Sequence, residues 1–315
     1  MDLSIIVPVY NEEKNLPLLY DAILAAMAGY PKKWEVLFVD DGSKDSSLQV
    51  LQGIYAKDKK RVRLVELRRN FGQTAAIAAG IDHSAGDIVV MLDADMQNDP
   101  ADIPMMLDKI DEGYDVVSGW RKDRKDTFIN RTLPSRMANG LISNVTGVHL
   151  HDYGCTLKAY RREVIKGFRL YGEMHRFIPV YANRFGAKII EVPVRHHPRK
   201  YGKANYGLER SIKVVLDLFT VKFLVSYSSK PIYLFGGTGV VLDALGLLML
   251  LYLFIRRVFF NVSVTASPLF LISTMMVLMG FQSILMGLIA ELLVRTYHES
   301  QNKPIYNVRQ FMDGK

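Results

Sequence analysis

Two aspartates separated by one residue, Asp93 and Asp95, directly follow a short apolar run from Ile88 to Leu92. Side chains at alternate positions of an extended segment point to the same side, so the two carboxylates can converge on one cation. Hard divalent cations take oxygen ligands and commonly keep substrate phosphates as further ligands. The pattern therefore predicts a metal site suited to a nucleoside diphosphate. The alternative is a strand that simply ends in a turn, because Asp is common in turns.

The first hundred residues alternate between apolar strands and amphipathic helices, which predicts an α/β domain with a mostly parallel sheet. The predicted strands are Leu3–Val9, Trp34–Val39, Val62–Leu67 and Ile88–Leu92, and the predicted helices are Asn15–Met27, Ser46–Ala56 and Gly72–Ala79. Ligands of such sheets bind beyond the carboxyl ends of the strands. Polar residues follow three of these ends, at Tyr10–Glu12, Asp40–Ser43 and Asp93–Asp95. We expect them to face one crevice.

Two common phosphate-binding motifs are absent from the sequence. The first strand is followed by Tyr10-Asn11-Glu12-Glu13 rather than by a glycine-rich dinucleotide turn, and no G-x-x-x-x-G-K-[ST] loop occurs. Carboxylates repel a diphosphate, so an acidic crevice needs a bridging cation to hold one. This requirement strengthens the metal interpretation of Asp93 and Asp95.

The last third of the chain contains two long apolar segments. Ile232–Ile255 has a single ionisable residue, Asp243, and Leu269–Val294 follows after a short connection. Each is long enough to cross a bilayer, so we predict two membrane spans that form a helical hairpin. Basic residues are frequent before the first span and after the second, and the connection holds only Arg256 and Arg257. The positive-inside rule therefore places both termini in the cytoplasm.

Charge and cysteine content limit the partners and the compartment. The formal net charge is +8, which suits nucleic acid, a membrane surface or an anionic substrate. The predicted spans favour the last two, and we expect no nucleic-acid partner. The single cysteine, Cys155, allows no internal disulfide and fits a reducing compartment. The start of the chain has no basic region before its first strand, so no signal peptide is predicted and the soluble part is expected to stay inside the cell.

The motifs together resemble a known family. Val7–Glu13, Val39–Ser43, Leu92–Gln97 and the paired C-terminal spans are similar to the polyprenyl-phosphate glycosyltransferases of inverting family 2. The resemblance implies a Rossmann-like GT-A domain, and it extends to bactoprenol glucosyltransferases and dolichol-phosphate mannose synthases. We expect the chain to divide into a cytoplasmic GT-A domain at 1–206, amphipathic juxtamembrane helices at 207–230, membrane spans at 231–256 and 268–295, and a cytoplasmic tail at 296–315. The bactoprenol branch also implies a homo-oligomer, often a tetramer, in the cytoplasmic membrane.

The resemblance assigns roles to individual residues. It implies that Pro8, Tyr10, Glu12 and Asp40 line the pocket for the base and ribose. It also implies that Asp95, with Asp93 and Gln97, binds Mg²⁺ or Mn²⁺. Asp93 and Gln97 are also expected on the donor sugar. The strand Asp115–Arg121 would place Arg121 at the same sheet edge, where it would bind a phosphate group of a substrate. The alternative is that Arg121 is a solvated surface residue.

The same resemblance places Asp152 beside the acceptor. An acid there is a general base when the acceptor is an alcohol. A phosphate acceptor is largely a dianion at neutral pH, so we expect Asp152 to orient the acceptor or the donor sugar instead.

Basic residues downstream are candidates for the second half of the site. Arg136, Arg199 and Lys203 would bind the lipid phosphate or the donor diphosphate, and the alternative is a solvated or headgroup-attracted basic surface. Apolar residues at helical spacing in 208–219 predict an amphipathic helix. It lies either on the membrane or against its own domain.

The resulting hypothesis is inverting transfer of a hexose to polyprenyl phosphate. The resemblance alone implies UDP-glucose and undecaprenyl phosphate as the substrates, with GDP-mannose and a UDP-aminoarabinose derivative as alternative donors. A processive polysaccharide synthase is a second hypothesis, but such an enzyme would carry a Q-x-x-R-W motif and more membrane spans, and this sequence has neither. A non-catalytic, membrane-anchored nucleotide-sugar binding protein is the alternative from a different functional class.

Overall fold

The computed structural model describes most of the chain. The described residues are 1–122, 139–140, 142–144, 146–166, 170, 174–198, 232–261, 263–264, 267–300 and 308–313. They form two compact units. One contains the N-terminal domain together with the last residues of the chain, and the other contains the two long apolar helices.

The first unit is built on one eight-stranded sheet in the order β7-β5-β6-β4-β1-β2-β3-β8. The strands are β1 Leu3–Val9, β2 Trp34–Asp40, β3 Val62–Leu67, β4 Ile88–Met91, β5 Val116–Trp120, β6 Lys158–Arg161, β7 Ile189–Pro193 and β8 Val308–Met312. The helices are α1 Leu16–Ala26, α2 Ser47–Lys57, α3 Gln73–His83, α4 Ile103–Asp111, α5 Arg162–Ile165 and α6 Ile178–Arg184. Pairs β1–β2, β1–β4, β2–β3 and β5–β7 are parallel. The mostly parallel α/β sheet is thus confirmed.

Most predicted elements of the first hundred residues agree with the structure to within a residue or two. The exception is α3, which was predicted to stop at Ala79 but continues to His83. Gly80 lies inside this extra turn, where a Cβ atom would overlap the side chain of Ile6. Glycine therefore marks a close approach of α3 to β1 here, and it does not end the helix.

Three pairings of the sheet are antiparallel. Strand β6 pairs in this way with both β4 and β5, and β8 pairs with β3 at the far edge of the sheet. Strand β8 lies within the segment predicted as a C-terminal tail, so the chain returns to the first unit after its two long helices.

The second unit consists of helices α7 (Ile232–Phe260) and α8 (Pro268–Ser300). Both contain segments long and apolar enough to cross a membrane, and most side chains of these segments are exposed. A core helix of a soluble protein would be mostly buried, so the exposure favours lipid contact. The helices pack on each other where small residues lie: a Cβ atom on Gly239 would come within 2.6 Å of the Gly280 carbonyl oxygen, and one on Gly246 within 2.9 Å of the Ser273 carbonyl oxygen.

We expect Gly239→Leu to separate α7 from α8, because its side chain would meet the backbone of the facing helix. The matched control is Gly237→Leu, since nothing lies within 4 Å of a Cβ atom at that position of the same helix. Detergent-solubilised Gly239→Leu should unfold about 5 °C or more below the wild-type protein, with Gly237→Leu unchanged. Equal melting temperatures for the two variants would contradict this packing.

Candidate functional site

The predicted site residues that the structure describes lie at or next to the carboxyl ends of neighbouring strands. Pro8 is within β1, Tyr10 and Glu12 follow it, and Asp40 is the last residue of β2. Asp93, Asp95 and Gln97 follow β4, Arg121 follows β5, and Asp152 lies in the loop that leads to β6. Arg136, Arg199, Lys203 and the predicted amphipathic helices at 207–230 lie outside the described residues.

Hydrogen bonds join the loops that follow β1 and β2. The Glu12 amide donates to Ser47 Oγ at 2.8 Å, the Asn11 amide to Ser43 Oγ at 3.1 Å, and the Lys44 amide to Asn11 Oδ1 at 2.7 Å. Asn11 has a positive φ of 57°, which Asn tolerates better than most residues. The two loops therefore form one polar wall.

Adjacent acids at the end of β2 have different surroundings. Asp41 accepts hydrogen bonds from the Phe71 and Gly72 amides at 2.7 and 2.9 Å, so it fixes the loop that begins α3. Asp40 is 1 % exposed, and its Oδ2 accepts from the Ser43 amide at 3.2 Å. Its Oδ1 is buried and has no hydrogen-bond partner among the described residues. Burial raises the pKa of Asp40 despite the Ser43 contacts. A buried acceptor without a donor is a place for a ligand N–H or O–H.

Asp93 and Asp95 lie together after β4, as the sequence predicts. Asp95 Oδ1 accepts from the Gln97 amide at 3.1 Å, which closes a tight turn through Met96 with its φ of 61°. Asp93 Oδ1 accepts from Gln73 Nε2 at 2.8 Å, a contact between distant segments that no sequence motif indicated. The turn holds the carboxylates close enough to influence each other's charge.

The electrostatics of this pair suit a cation. Desolvation, and next the charge of Asp95, raises the pKa of Asp93 to about 6, while Arg121 and Lys158 oppose the rise. A divalent cation between two neighbouring carboxylates relieves their electrostatic repulsion. A set of ligands that consists only of oxygen atoms suits Mg²⁺ or Mn²⁺. No cluster of three or more His, Cys, Asp or Glu side chains suited to a metal occurs in the described part of the chain. Mg²⁺ takes octahedral oxygen coordination, so two carboxylates leave positions that water and substrate oxygens can fill.

Arg121 and Asp152 form a buried bidentate ion pair. Arg121 Nε and Nη2 donate to the two Asp152 carboxylate oxygens at 2.7 and 2.9 Å, and their side chains are only 13 % and 7 % exposed. The Gly154 amide also donates to Asp152 Oδ1 at 3.1 Å. Desolvation alone would lower the pKa of Arg121, but the bond and charge of Asp152 raise it. Asp152 thus fixes a permanent positive charge at this edge of the sheet.

Sequence reasoning missed Glu191, which holds the loop that carries Asp152. Its Oε1 accepts from the Asp152 amide at 2.9 Å, and its Oε2 accepts from the His151 amide at 3.0 Å. The His151 ring contacts the same Oε2 at 2.6 Å and stacks on Trp120 at 4.4 Å. A charged residue within the otherwise apolar strand β7 was the available signal.

The segment leading to the predicted basic cluster is attached beside the Asp95 turn. The His197 amide donates to the Gln97 carbonyl at 2.8 Å, and His197 Nε2 contacts Asp99 at 3.0 Å. Arg195 pairs with Asp102 at 2.7 Å. The acidic turn and the start of the basic segment are therefore neighbours.

Comparison with known proteins identifies the family of this chain. Residues 4–168 match the model of glycosyl transferase family 2. The chain belongs to that family. This glycosyltransferase is 42% identical over 318 residues to a dodecaprenyl-phosphate galacturonate synthase of Rhizobium johnstonii, covering 100% of this chain and 94% of the relative. It is 38% identical over 308 residues to an undecaprenyl-phosphate 4-deoxy-4-formamido-L-arabinose transferase of Edwardsiella ictaluri, covering 98% and 93%. The resemblance to polyprenyl-phosphate glycosyltransferases is confirmed.

Solved structures agree on the fold of this glycosyltransferase. Glucosyl-3-phosphoglycerate synthase from Mycobacterium tuberculosis, in complex with Mn²⁺, UDP and phosphoglyceric acid, superposes with a TM-score of 0.53 at 19% identity. The match covers 70% of this chain and 78% of that chain. At this identity the likeness shows the GT-A fold alone.

We expect Glu191→Gln to lower the kcat of this glycosyltransferase about tenfold. The amide would keep one acceptor but present a donor to the other backbone N–H, so the Asp152 loop and Arg121 would shift. The KM for the nucleotide sugar should change less than about twofold, because Glu191 does not reach the loops at β1 and β2. Exposed Glu163 offers the control Glu163→Gln. Unchanged kcat in Glu191→Gln would show that the loop keeps its position without this carboxylate.

Proposed function

We propose that this enzyme transfers a sugar from a nucleoside diphosphate to the phosphate of a polyprenyl lipid, with inversion at the anomeric carbon. The observation that carries the proposal is the match to polyprenyl-phosphate glycosyltransferases over the full length of the chain, including the apolar hairpin. The acidic and cationic side chains at one sheet edge agree with it.

The nucleotide is proposed to lie on the wall formed by the loops after β1 and β2. The buried Asp40 Oδ1, without a protein donor among the described residues, would accept from the base or the ribose, and Pro8, Tyr10 and Glu12 would line the same pocket. UDP is our preferred nucleotide, because a structural neighbour is described with UDP. GDP is the alternative.

Asp95, with Asp93 and Gln97, is proposed to hold Mg²⁺ or Mn²⁺. When bound, the cation supplies charge neutralisation for the diphosphate leaving group. Gln73 Nε2 donates a hydrogen bond to Asp93 Oδ1, and Asp93 would also orient the donor sugar. The acidic edge thereby becomes compatible with a diphosphate.

In the proposed reaction the acceptor phosphate oxygen attacks the anomeric carbon, and the bond from that carbon to the diphosphate oxygen breaks. Arg121, fixed by Asp152, stabilises negative charge on the reacting phosphates. Asp152 itself is occupied by hydrogen-bond donors, so it positions Arg121 and removes no proton. Rate acceleration would come mainly from alignment and charge stabilisation.

The acceptor is proposed to be a polyprenyl phosphate at the cytoplasmic face of the inner membrane. Strand β8 follows the hairpin and lies in the same sheet as the N-terminal strands. If α7 and α8 both cross the bilayer, the chain must return to the side on which it started. The basic residues that flank the spans favour the cytoplasmic side. Arg136, Arg199 and Lys203 remain our candidates for the lipid phosphate, and the tetramer remains a prediction.

The donor sugar is proposed to be a hexuronate of the galacturonate type. The relative named as a galacturonate synthase is 42% identical to this chain, and several formamido-arabinose transferases are 34% to 38% identical. Formamido-arabinose is the second candidate for that reason. Glucose, the hexose expected from the bactoprenol branch, appears in neither name and ranks third.

A single assay tests these statements. Purified protein is incubated with Mn²⁺, a short polyprenyl phosphate and one radiolabelled donor: UDP-galacturonate, UDP-formamido-arabinose, UDP-glucose or GDP-mannose. We expect organic-extractable label with UDP-galacturonate at a rate at least about tenfold above the others. Lipid product from a different donor would correct the sugar. Polymer without lipid product would favour a synthase, and binding without product from any donor would favour the non-catalytic alternative.

A further inference from the structure

The C-terminal strand approaches the proposed nucleotide pocket through a β-bulge. Glu66 pairs with Gln310, and the next residue, Leu67, pairs with Val308. Arg309 is therefore the extra residue of the bulge. A bulge redirects a side chain relative to a regular ladder, and here the Arg309 guanidinium contacts Glu66 Oε1 at 2.8 Å.

Glu66 is a neighbour of Asp40. The two residues are paired in the parallel ladder between β2 and β3, so their side chains share one face of the sheet. Asp40 is 1 % exposed and Glu66 is 6 % exposed. Like charges opposite each other in a sheet are unfavourable, and burial makes them more so. The positive charge of Arg309, placed next to Glu66, therefore reduces the repulsion between Glu66 and Asp40.

Apolar contacts hold β8 in this register. Val308 packs against the cluster that includes Leu37 and Val65, and Met312 packs against the main core. The Phe311 ring meets His83 at a centroid distance of 5.0 Å. These contacts anchor the strand on both sides of Arg309, so the guanidinium is presented from a fixed backbone.

We propose that the C-terminal strand is part of the nucleotide-binding machinery, with Arg309 as a positioning residue that neutralises Glu66 and so lets Asp40 serve as an acceptor for the base or ribose. The inference rests on the proposed role of Asp40 in nucleotide binding. It assigns a function to the segment that follows the apolar hairpin.

Titration calorimetry with UDP and Mn²⁺ on the full-length protein tests the proposal. Arg309→Gln leaves Glu66 buried without its partner, and we expect UDP to bind about five- to tenfold more weakly. Arg309→Lys should restore most of the affinity. The double variant Glu66→Gln/Arg309→Gln removes both charges, and its Kd should return to within about twofold of wild type.

A matched control separates this effect from general destabilisation. Arg63 lies on β3, the strand of Glu66, but near the end opposite the pocket. It pairs with the buried Glu35 of β2 at 3.3 Å. Arg63→Gln should lower the melting temperature and leave the Kd for UDP unchanged.

Equal weakening in Arg309→Gln and in the double variant would overturn the proposal, because it would show that the strand matters only as structure. Wild-type affinity in Arg309→Gln would overturn it as well. A wild-type protein that binds neither UDP nor GDP would instead refute the proposed function and the inference with it.

Discussion

Asp95→Asn should reduce metal-dependent sugar transfer about a thousandfold. The substitution is close to isosteric, and the Asn carbonyl oxygen can still accept from the Gln97 amide, as Asp95 Oδ1 does at 3.1 Å. The turn after β4 is therefore expected to survive. What is lost is one negative charge from the pair that is proposed to bind the cation. Product formation with saturating UDP-sugar and polyprenyl phosphate gives the rate.

A second measurement distinguishes loss of the metal from loss of the fold. Mn²⁺ should tighten UDP binding by the wild-type protein, and this dependence should disappear in Asp95→Asn. Asp87 is exposed and precedes the same strand at its other end, so Asp87→Asn is the control and should stay within about twofold of wild type. Full metal-dependent activity in Asp95→Asn would show that the cation is held elsewhere.

Local features of the fold and site could be predicted from the sequence. Alternating apolar strands and helices gave β1 and β3 with their observed limits. Polar residues after parallel strands meet at one edge for topological reasons, so Asp40, Asp93 and Asp95 needed only the strand assignment. The two apolar helices followed from length and composition.

Contacts between distant segments could not be predicted in this way. Gln73 reaches Asp93, Glu191 holds the Asp152 loop, and Arg309 pairs with Glu66. Each depends on which strands become neighbours and on the register between them, and neither is encoded in a short motif. Strand β8 was missed because it lies at a sheet edge. There its pairing depends on β3 and not on its own propensity.

Asp152→Asn should lower kcat about a hundredfold and leave the shape of the pH profile unchanged. In the wild-type protein the Arg121 guanidinium donates two hydrogen bonds to the Asp152 carboxylate, at 2.7 and 2.9 Å. In the variant the Asn side chain has one oxygen acceptor, and its N–H group faces the guanidinium. Arg121 therefore loses its fixed orientation. Breaking a buried ion pair also destabilises the fold by about 3–5 kcal/mol, so a melting curve must show that the variant is folded at the assay temperature.

The pH profile separates positioning from general-base catalysis. A phosphate monoester has a second pKa near 6, so activity should fall as the pH drops below that value and the acceptor becomes a monoanion. Asp93, with its pKa of about 6, titrates in the same range in both proteins, so this acid limb should persist at the same pH in Asp152→Asn. A polyprenyl phosphonate, whose second ionisation is weaker, should move the limb to higher pH in both proteins. Disappearance of the limb in Asp152→Asn would instead make Asp152 the base. The hydrogen bonds that occupy both of its oxygens argue for the first outcome.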